Sequence, residues 1–272
     1  MVDPGNRMSQ ALDVGSLIGR VSFTDSVNKT TDTDDFYRVI LERSSRLNIS
    51  SLYSAAVDVE IIRDLNNNDI IDSNELIDRG QNSGFGNGDL SFDTDLAFGT
   101  YFIKVGSQNS SLVSNSADYT LTLTNTPVGT LTVDPGNQMS QALDIGILNG
   151  SRTFSEYAGK SNLDPVDFYR FTLDRPTDVS LTLSEVRSGS LTWIRLIQDL
   201  NNNNVVEESF QRNEVIAGRQ ISQGNPNSIN QALQPGTYFV RIDEVSTDRG
   251  RNYTLNFFTP GATSLFPFGP GC

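Results

Sequence analysis

Asp35-Phe36-Tyr37-Arg38-Val39-Ile40-Leu41 and Asp167-Phe168-Tyr169-Arg170-Phe171-Thr172-Leu173 are one strand written twice. Tyr37, Val39 and Leu41 alternate with their neighbours, as do Tyr169, Phe171 and Leu173. A period of two is the mark of a strand with one buried face. The same alternation recurs at Val57, Val59 and Ile61, at Tyr101, Ile103 and Val105, and at Tyr119, Leu121 and Leu123. It returns at Val179, Leu181 and Leu183, at Ile194 and Leu196, at Tyr238, Val240 and Ile242, and at Tyr253, Leu255 and Phe257. These runs are short, rich in β-branched and aromatic residues, and separated by Gly, Asn, Asp and Ser. Seven or eight strands per repeat predict an all-β chain of two tandem antiparallel β-sandwich, jelly-roll-like domains. Short helical turns are expected only at Met8–Leu12 and Met139–Leu143.

Three further blocks are duplicated in the same order. Asp3-Pro4-Gly5-Asn6, with Met8-Ser9-Gln10-Ala11-Leu12-Asp13, returns as Asp134-Pro135-Gly136-Asn137, with Met139-Ser140-Gln141-Ala142-Leu143-Asp144. Asp64-Leu65-Asn66-Asn67-Asn68 returns as Asp199-Leu200-Asn201-Asn202-Asn203, and Gly99-Thr100-Tyr101-Phe102 as Gly236-Thr237-Tyr238-Phe239. A period of about 130 residues is a whole domain, not a solenoid unit of about 20–50. The expected division is residues 1–126, a linker at 127–133, residues 134–258, and a flexible tail at 259–272 that carries Phe266 and Phe268.

Composition excludes several chemistries. The 272 residues include no histidine, and the one cysteine is Cys272. Ser-His-Asp and Cys-His catalysis, histidine-ligated zinc and an internal disulfide therefore have no donors. A net charge of −13 opposes binding to nucleic acid or an anionic membrane and favours divalent cations. No apolar run is long enough to span a membrane. Met1-Val2-Asp3-Pro4 leads straight into the first repeat without an N-terminal Sec signal. The chain is thus expected to be exported by another route, to be a mature form or fragment, or to remain inside. A carboxylate-only hydrolase would draw on Asp93 with Asp95, or Glu207 with Glu208. Duplication favours a non-catalytic binding role over an active site.

Two patterns point to calcium, a hard cation that takes six to eight oxygen ligands. Counted from Asp64, oxygen-bearing side chains fall at positions 1, 3, 5, 9 and 12: Asp64, Asn66, Asn68, Asp72 and Glu75. Position 6 is Asp69, where a positive φ is expected, and a strand precedes the loop in place of a helix. The second repeat keeps Asp199, Asn201 and Asn203, but Phe210 stands where Glu75 would be. The alternative is an Asn-rich turn that needs no ion. The second pattern is the acidic strand entry Asp32-Thr33-Asp34-Asp35 and its counterpart Asp164-Pro165-Val166-Asp167. With Asp3 and Asn6, or Asp134 and Asn137, these residues can form an oxygen cage tying the N-terminal arm to the sandwich. Trp193 stands where the first repeat has Asp58, opposite Ile194 and Leu196, and is a candidate ligand-binding residue. The Asp58/Trp193 and Glu75/Phe210 differences lead to the expectation that the repeats bind different partners.

The ordered motifs resemble the bacterial pre-peptidase C-terminal domain, in forms common in cyanobacterial exported proteins. They run Asp-Pro-x-Asn, Asp-x-x-Asp-Phe-Tyr-Arg, Asp-x-Asn-x-Asn, Gly-Thr-Tyr-Phe and Asn/Asp-Tyr-Thr-Leu. The resemblance implies a jelly-roll-like accessory module of secreted proteins. Some members resemble the collagen-binding modules of clostridial collagenases, which bind calcium near the N-terminal arm. Carried over by position, this implies calcium at Asp3, Asn6, Asp34 and Asp35, and at Asp134, Asn137, Asp164 and Asp167. Gly5 and Gly136 depart from the polar residue usual in the family. The expectation is a calcium-stabilised, secreted or cell-surface adhesion module for a protein or polysaccharide ligand. The alternative is a self-associating component of a surface layer, filament or matrix.

Overall fold

The computed structural model describes residues 3–80, 87–107, 116–159, 164–184, 192–209, 212–221, 228–244 and 250–260. The main division of the chain falls between Thr132 and Val133. In the first unit a 3-10 turn, Met8–Gln10, leads into β1 (Leu12–Ser16), β2 (Arg20–Asn28), β3 (Asp34–Leu41), β4 (Ser45–Tyr53) and β5 (Val57–Ile62). There follow β6 (Leu76–Gly80), β7 (Gly88–Leu96), β8 (Gly99–Ser107) and β9 (Ser116–Pro127). One sheet has the order β1-β3-β8-β5-β6 and the other β2-β9-β4-β7, so most successive strands cross between sheets.

The second unit repeats this plan. A 3-10 turn, Met139–Gln141, precedes β10 (Leu143–Ile147), β11 (Ser151–Ala158), β12 (Val166–Leu173), β13 (Thr177–Ser184) and β14 (Thr192–Ile197). A small hairpin, β15 (Glu208–Ser209) with β16 (Arg212–Asn213), comes before β17 (Val215–Ile221). The unit closes with β18 (Ser228–Leu233), β19 (Gly236–Glu244) and β20 (Arg251–Phe258). Its sheets are β10-β12-β19-β14-β17 and β11-β20-β13-β18.

Each unit is a β-sandwich whose core is the alternating set. Tyr37, Val39, Leu41, Val59, Ile61, Ile103 and Val105 of one sheet meet Leu47, Ile49, Tyr119, Leu121 and Leu123 of the other, all essentially inaccessible. In the second unit Phe257 of β20 packs edge-on against Phe171 and Tyr169 of β12, with centroids 5.8 Å apart in each pair.

Two expectations change here. The sheets are not wholly antiparallel: β1 runs parallel to β3, and β10 to β12. Period two identifies a strand but not its neighbour's direction. The helical turns also end earlier than expected, with Leu12 and Leu143 already in strands. At the expected linker, β9 runs to Pro127, and the Val128 and Gly129 amides donate to the Ser44 carbonyl at 2.9 and 2.7 Å. The tail beyond residue 260 and most of the Gly84–Gly88 stretch lie outside the described residues.

The arm preceding β1 is fixed by a glycine. Gly5 has φ +77° and Gly136 φ +85°. A Cβ at Gly5 would lie 2.8 Å from the Gln10 carbonyl oxygen, and one at Gly136 2.5 Å from that of Gln141. Glycine at both places is thus dictated by backbone sign and space. Below this turn Met8 is buried against Phe36, Ile62 and Phe102, and Met139 against Phe168, Ile197 and Phe239. Gly15 has φ +72° but open space around its missing Cβ. Gly5→Ala should therefore destabilise the protein by more than the roughly 1 kcal/mol of the left-handed backbone penalty, and Gly15→Ala by that penalty alone. Denaturant melts of the two variants test the difference, and equal losses would refute the crowding.

Candidate metal centre

At the mouth of each sandwich three carboxylates converge. Oxygens of Asp3, Asp32 and Asp35 lie within 4.8 Å of one another, as do those of Asp134, Asp164 and Asp167. Each comes from a different piece of chain. Asp3 is in the arm, where its Oδ1 accepts the Gly5 amide at 2.7 Å; Asp134 accepts that of Gly136 at 2.6 Å. Asp32 lies in the turn between β2 and β3. Asp35 is the second residue of β3 and shares the inward face with Tyr37. The arm is held against the strand by the Phe36 amide, which donates to the Gly5 carbonyl at 3.2 Å, and by Phe168 to Gly136 at 3.1 Å.

Asp35 and Asp167 are completely buried. One oxygen of each is met by a tyrosine of the opposite sheet: Tyr119 donates to Asp35 and Tyr253 to Asp167. Those hydroxyls also bond Tyr37 at 2.6 Å and Tyr169 at 2.7 Å. The other oxygen, Oδ1 of Asp35 and of Asp167, is buried and accepts no hydrogen bond among the described residues, and neither does Oδ1 of Asp32. A buried ionised oxygen without a partner costs several kcal/mol. Burial accordingly pushes the Asp35 carboxyl up to about 7, against the pull of the Tyr119 hydrogen bond, with Asp32 and Asp25 adding to the rise. Asp167 is driven well above the usual range by burial and then by the charge of Asp164.

Burial also lifts Glu156 to about 8, with Asp134 contributing. Glu156 on β11 is the counterpart of Asp25 on β2, and both strands carry this acid toward the cluster. The sequence reading missed this pair. Its signal was an acid at the same place in both repeats, in a strand that otherwise alternates.

The donor set fits a hard cation. Two oxygens bound to one calcium are separated by at most about twice the 2.3–2.6 Å coordination distance, and the three oxygens fall within that reach. Asp35 and Asp167 each keep one buried oxygen without a donor among the described residues, and the other is held by tyrosine.

The expected cage residues divide. Asp3 and Asp35 are brought together, as are Asp134, Asp164 and Asp167. Asp34 is turned away and pairs with Lys104 at 3.0 Å, because neighbours in a strand point to opposite faces. Asp32 takes its place. Asn6 stands beside the cluster but commits its Oδ1 to the Asp34 amide at 3.0 Å, and Asn137 does the same for Val166 at 3.2 Å. These asparagines clamp the strand entry.

The Asn-rich loops close on themselves. Asp64 accepts the amides of Asn68 and Asp69 at 3.2 and 3.1 Å; Asn66 Oδ1 accepts that of Asn68 at 3.0 Å, and Asn68 Oδ1 that of Ile70 at 2.8 Å. Asp72 accepts the side-chain amides of Asn66 and Asn68 at 2.8 and 3.2 Å. Glu75, completely buried, accepts the Leu65 amide at 2.9 Å and the Asp72 amide at 3.0 Å. Asp69 has φ +58°, as position 6 was expected to.

In the second unit Asp199, Asn201 and Asn203 repeat these bonds, with Glu207 in the role of Asp72. Phe210 lies outside the described residues. Glu214 is the true counterpart of Glu75, accepting the Leu200 amide at 3.0 Å and the Glu207 amide at 3.1 Å. The hairpin β15–β16, inserted between Glu207 and Glu214, displaces it along the sequence.

Trp193 lies half-buried on β14 with the Arg195 guanidinium 4.9 Å from its ring centre. Arg195 also pairs with Asp243 and Glu208. Of the acids considered for hydrolysis, Asp95 pairs with Arg46 at 2.8 Å and Asp93 accepts from Asn48 at 2.8 Å.

No protein-family model matches the chain, and no curated protein does. Solved structures similar to it include the pre-peptidase C-terminal domain of a collagenase from Bacillus anthracis: 16% identity, 42% of this chain, 93% of that one, TM-score 0.30. Another is the Sulfolobus turreted icosahedral virus: 11% identity, 89% and 91% coverage, TM-score 0.27. A third is the CUB1-EGF-CUB2 fragment of human MASP-1/3: 8% identity, 88% and 99% coverage, TM-score 0.26. Among the described residues no helix is long and apolar enough to cross a membrane.

Two outcomes are expected. Glu75→Ala should cost about 2 kcal/mol, since it strands two part-buried amides, with the same loss in calcium and in chelator. A loss seen only with calcium would make Glu75 a ligand. The second concerns pH. Asp35 has a folded value of about 7 against about 3.9 in the unfolded chain, so between these the folded state binds more protons. Stability in chelator should fall as pH rises from about 4 to about 7, and Asp35→Asn/Asp167→Asn should make that slope shallower, leaving the part due to Glu156. Denaturation midpoints at pH 5 and 7.5 test it; an unchanged slope in the double variant would refute it.

Proposed function

We propose that this chain is a non-catalytic, calcium-stabilised tandem binding module that works outside the cell or at its surface. One observation carries the reading: the same carboxylate trio is built twice, each around a completely buried aspartate with one oxygen that accepts no hydrogen bond among the described residues. A divalent cation there would replace mutual repulsion by attraction and would join arm, turn and strand. Its chemistry would be structural; Asp3, Asp32 and Asp35 would hold it in the first unit and Asp134, Asp164 and Asp167 in the second. Carboxylate sites of extracellular modules fill at about 0.1–1 mM calcium, which favours an external setting. The resemblance to pre-peptidase C-terminal domains, as a tandem copy of the cyanobacterial type, supports an accessory role. Absence of histidine and the commitment of Asp93 and Asp95 to Asn48 and Arg46 speak for binding over catalysis.

A cation that binds only the folded state raises stability by about 2.7 kcal/mol at a hundred times its dissociation constant. The full chain should melt about 10 °C higher in calcium than in chelator. Asp35→Asn/Asp167→Asn, isosteric at both sites, should abolish the rise. A wild-type melt indifferent to calcium would sink the cation reading. A rise kept in the double variant would move the ion elsewhere, the Asp64–Glu75 loop being the next place to look.

A further inference from the structure

The four duplicated sequence blocks meet away from the carboxylate cluster. In the second unit they line a groove of about 330 Å3 on the outer face of the sheet containing β12 and β19. Met139 and Ser140 come from the arm, Arg170 from β12, Asp199 and Asn202 from the Asn-rich loop, and Thr237 and Phe239 from β19. The floor is Met139 and Phe239, packed together and nearly inaccessible. The first unit holds the same residue types on the same framework. Arg38 pairs with Phe102 across the ladder as Arg170 does with Phe239, and Asn67 has φ 55° where Asn202 has 57°.

Part of this retention is structural. Met139 and Phe239 are core, and Asn202 supplies a left-handed turn. The asparagines of the rim are covered by that account too, since Asn204 has φ 58° like its neighbour Asn202 and its counterpart Asp69. It does not extend to Ser140 and Thr237, which also line the groove and whose side chains make no hydrogen bond among the described residues. Ser9 and Thr100 are the same residues in the first unit, likewise without bonds. On the same sheet Asp58 has become Trp193 and Glu60 has become Arg195. Two hydroxyls kept without a packing reason, beside amides fixed in place by the turn, point to binding.

We propose that each unit binds a sugar residue of a neutral polysaccharide in this groove. This rests on the binding-module reading and names its ligand. The rim offers hydroxyls and amides that both donate and accept, over an apolar floor, which suits the hydroxyl edge and C–H face of a pyranose. Net charge to recruit an ion is lacking. Arg170 is paired with Asp144 at 3.4 Å, Arg38 with Asp13 at 3.0 Å, and both oxygens of Asp199 accept loop amides. An extended peptide fits less well. It needs free backbone donors, and those of Asn203, Asn204, Val205, Gln141 and Ala142 are all bonded internally.

The test is native affinity electrophoresis of the full chain, in millimolar calcium, through gels containing soluble starch, laminarin, xylan, galactomannan or gelatin. At least one polysaccharide should retard the protein, and gelatin should not. Ser140→Trp, which fills the groove, and Arg170→Ala, which removes a surface group, should each weaken retardation about tenfold or more, because two linked sites gain by avidity. Arg38→Ala/Arg170→Ala should abolish it while keeping the calcium-dependent melt. Retardation by none of the four polysaccharides, or retardation unchanged in that double variant, would overturn the proposal. So would retardation by gelatin that the double variant loses, which would assign the groove to a peptide. The melt and the gel separate the two readings: a lost calcium shift with intact retardation counts against the cation alone, and the reverse against the sugar alone.

Discussion

An aspartate pointing into the sandwich, gripped on one side by a tyrosine of the facing sheet, is the constraint around which each unit is arranged. Alternation along β3 commits Asp35 to the face that carries Tyr37, Val39 and Leu41. A carboxylate so placed must be neutralised, hydrogen-bonded or paired with a cation. Tyr119 answers for one oxygen, and through Tyr37 it ties the two sheets together beside the cluster. The other oxygen is left to the mouth, where Asp3 and Asp32 bring more negative charge. Replacing Asp35 by an apolar residue would serve the core better in isolation. Its presence in both units is explained by what gathers at the mouth.

From that point the arm follows. Asp3 reaches the cluster because Gly5 turns with a positive φ, and the Gly5 carbonyl receives the Phe36 amide. The next turn drops Met8 onto Phe36, Ile62 and Phe102 on the outer face of the sheet. So one short segment closes the sandwich mouth at one end and forms the wall of the outer groove at the other. An ion binding Asp3 would order Ser9 as well, which couples the stability of the arm to the shape of the groove within each unit. The Asn-rich loop makes the opposite wall and is closed by its own bonds: oxygens of Asp64, Asn66, Asn68 and Asp72 accept amides of the loop, with Glu75 or Glu214 stapling it.

The fold was legible because period two survives in nearly every strand. What it could not carry was direction, and β1 beside β3 turned out parallel. At the site, strand phase decided the errors. Asp34 and Asp35 are adjacent acids followed by two aromatics, Phe36 and Tyr37, both buried on opposite faces. The local pattern therefore does not say which acid faces inward. Asp32 lies before the strand, where alternation says nothing. Glu214 was hidden for a different reason: the inserted hairpin broke the count of twelve, and only three-dimensional bonding re-established the equivalence. Asp25 and Glu156 were visible as a matched acidic pair, but their meaning depends on cross-sheet proximity.

Duplication within one chain separates two kinds of requirement. On the outer face of the first unit Lys104 joins Asp34 and Glu60, and Arg79 joins Glu60. At the same place in the second unit Arg195 and Arg241 share Asp243. Charges have been exchanged, yet pairing persists, because a part-buried charge needs a partner of opposite sign whichever way round the two stand. The cluster and the groove behave otherwise. There Asp answers Asp, Ser answers Ser, Arg answers Arg and Phe answers Phe, with Asn204 for Asp69 the exception. Pairing tolerates reversal; an arrangement that uses particular atoms at particular places does not. The copies have been free to diverge where only charge balance is at stake and held where shape and donor identity are.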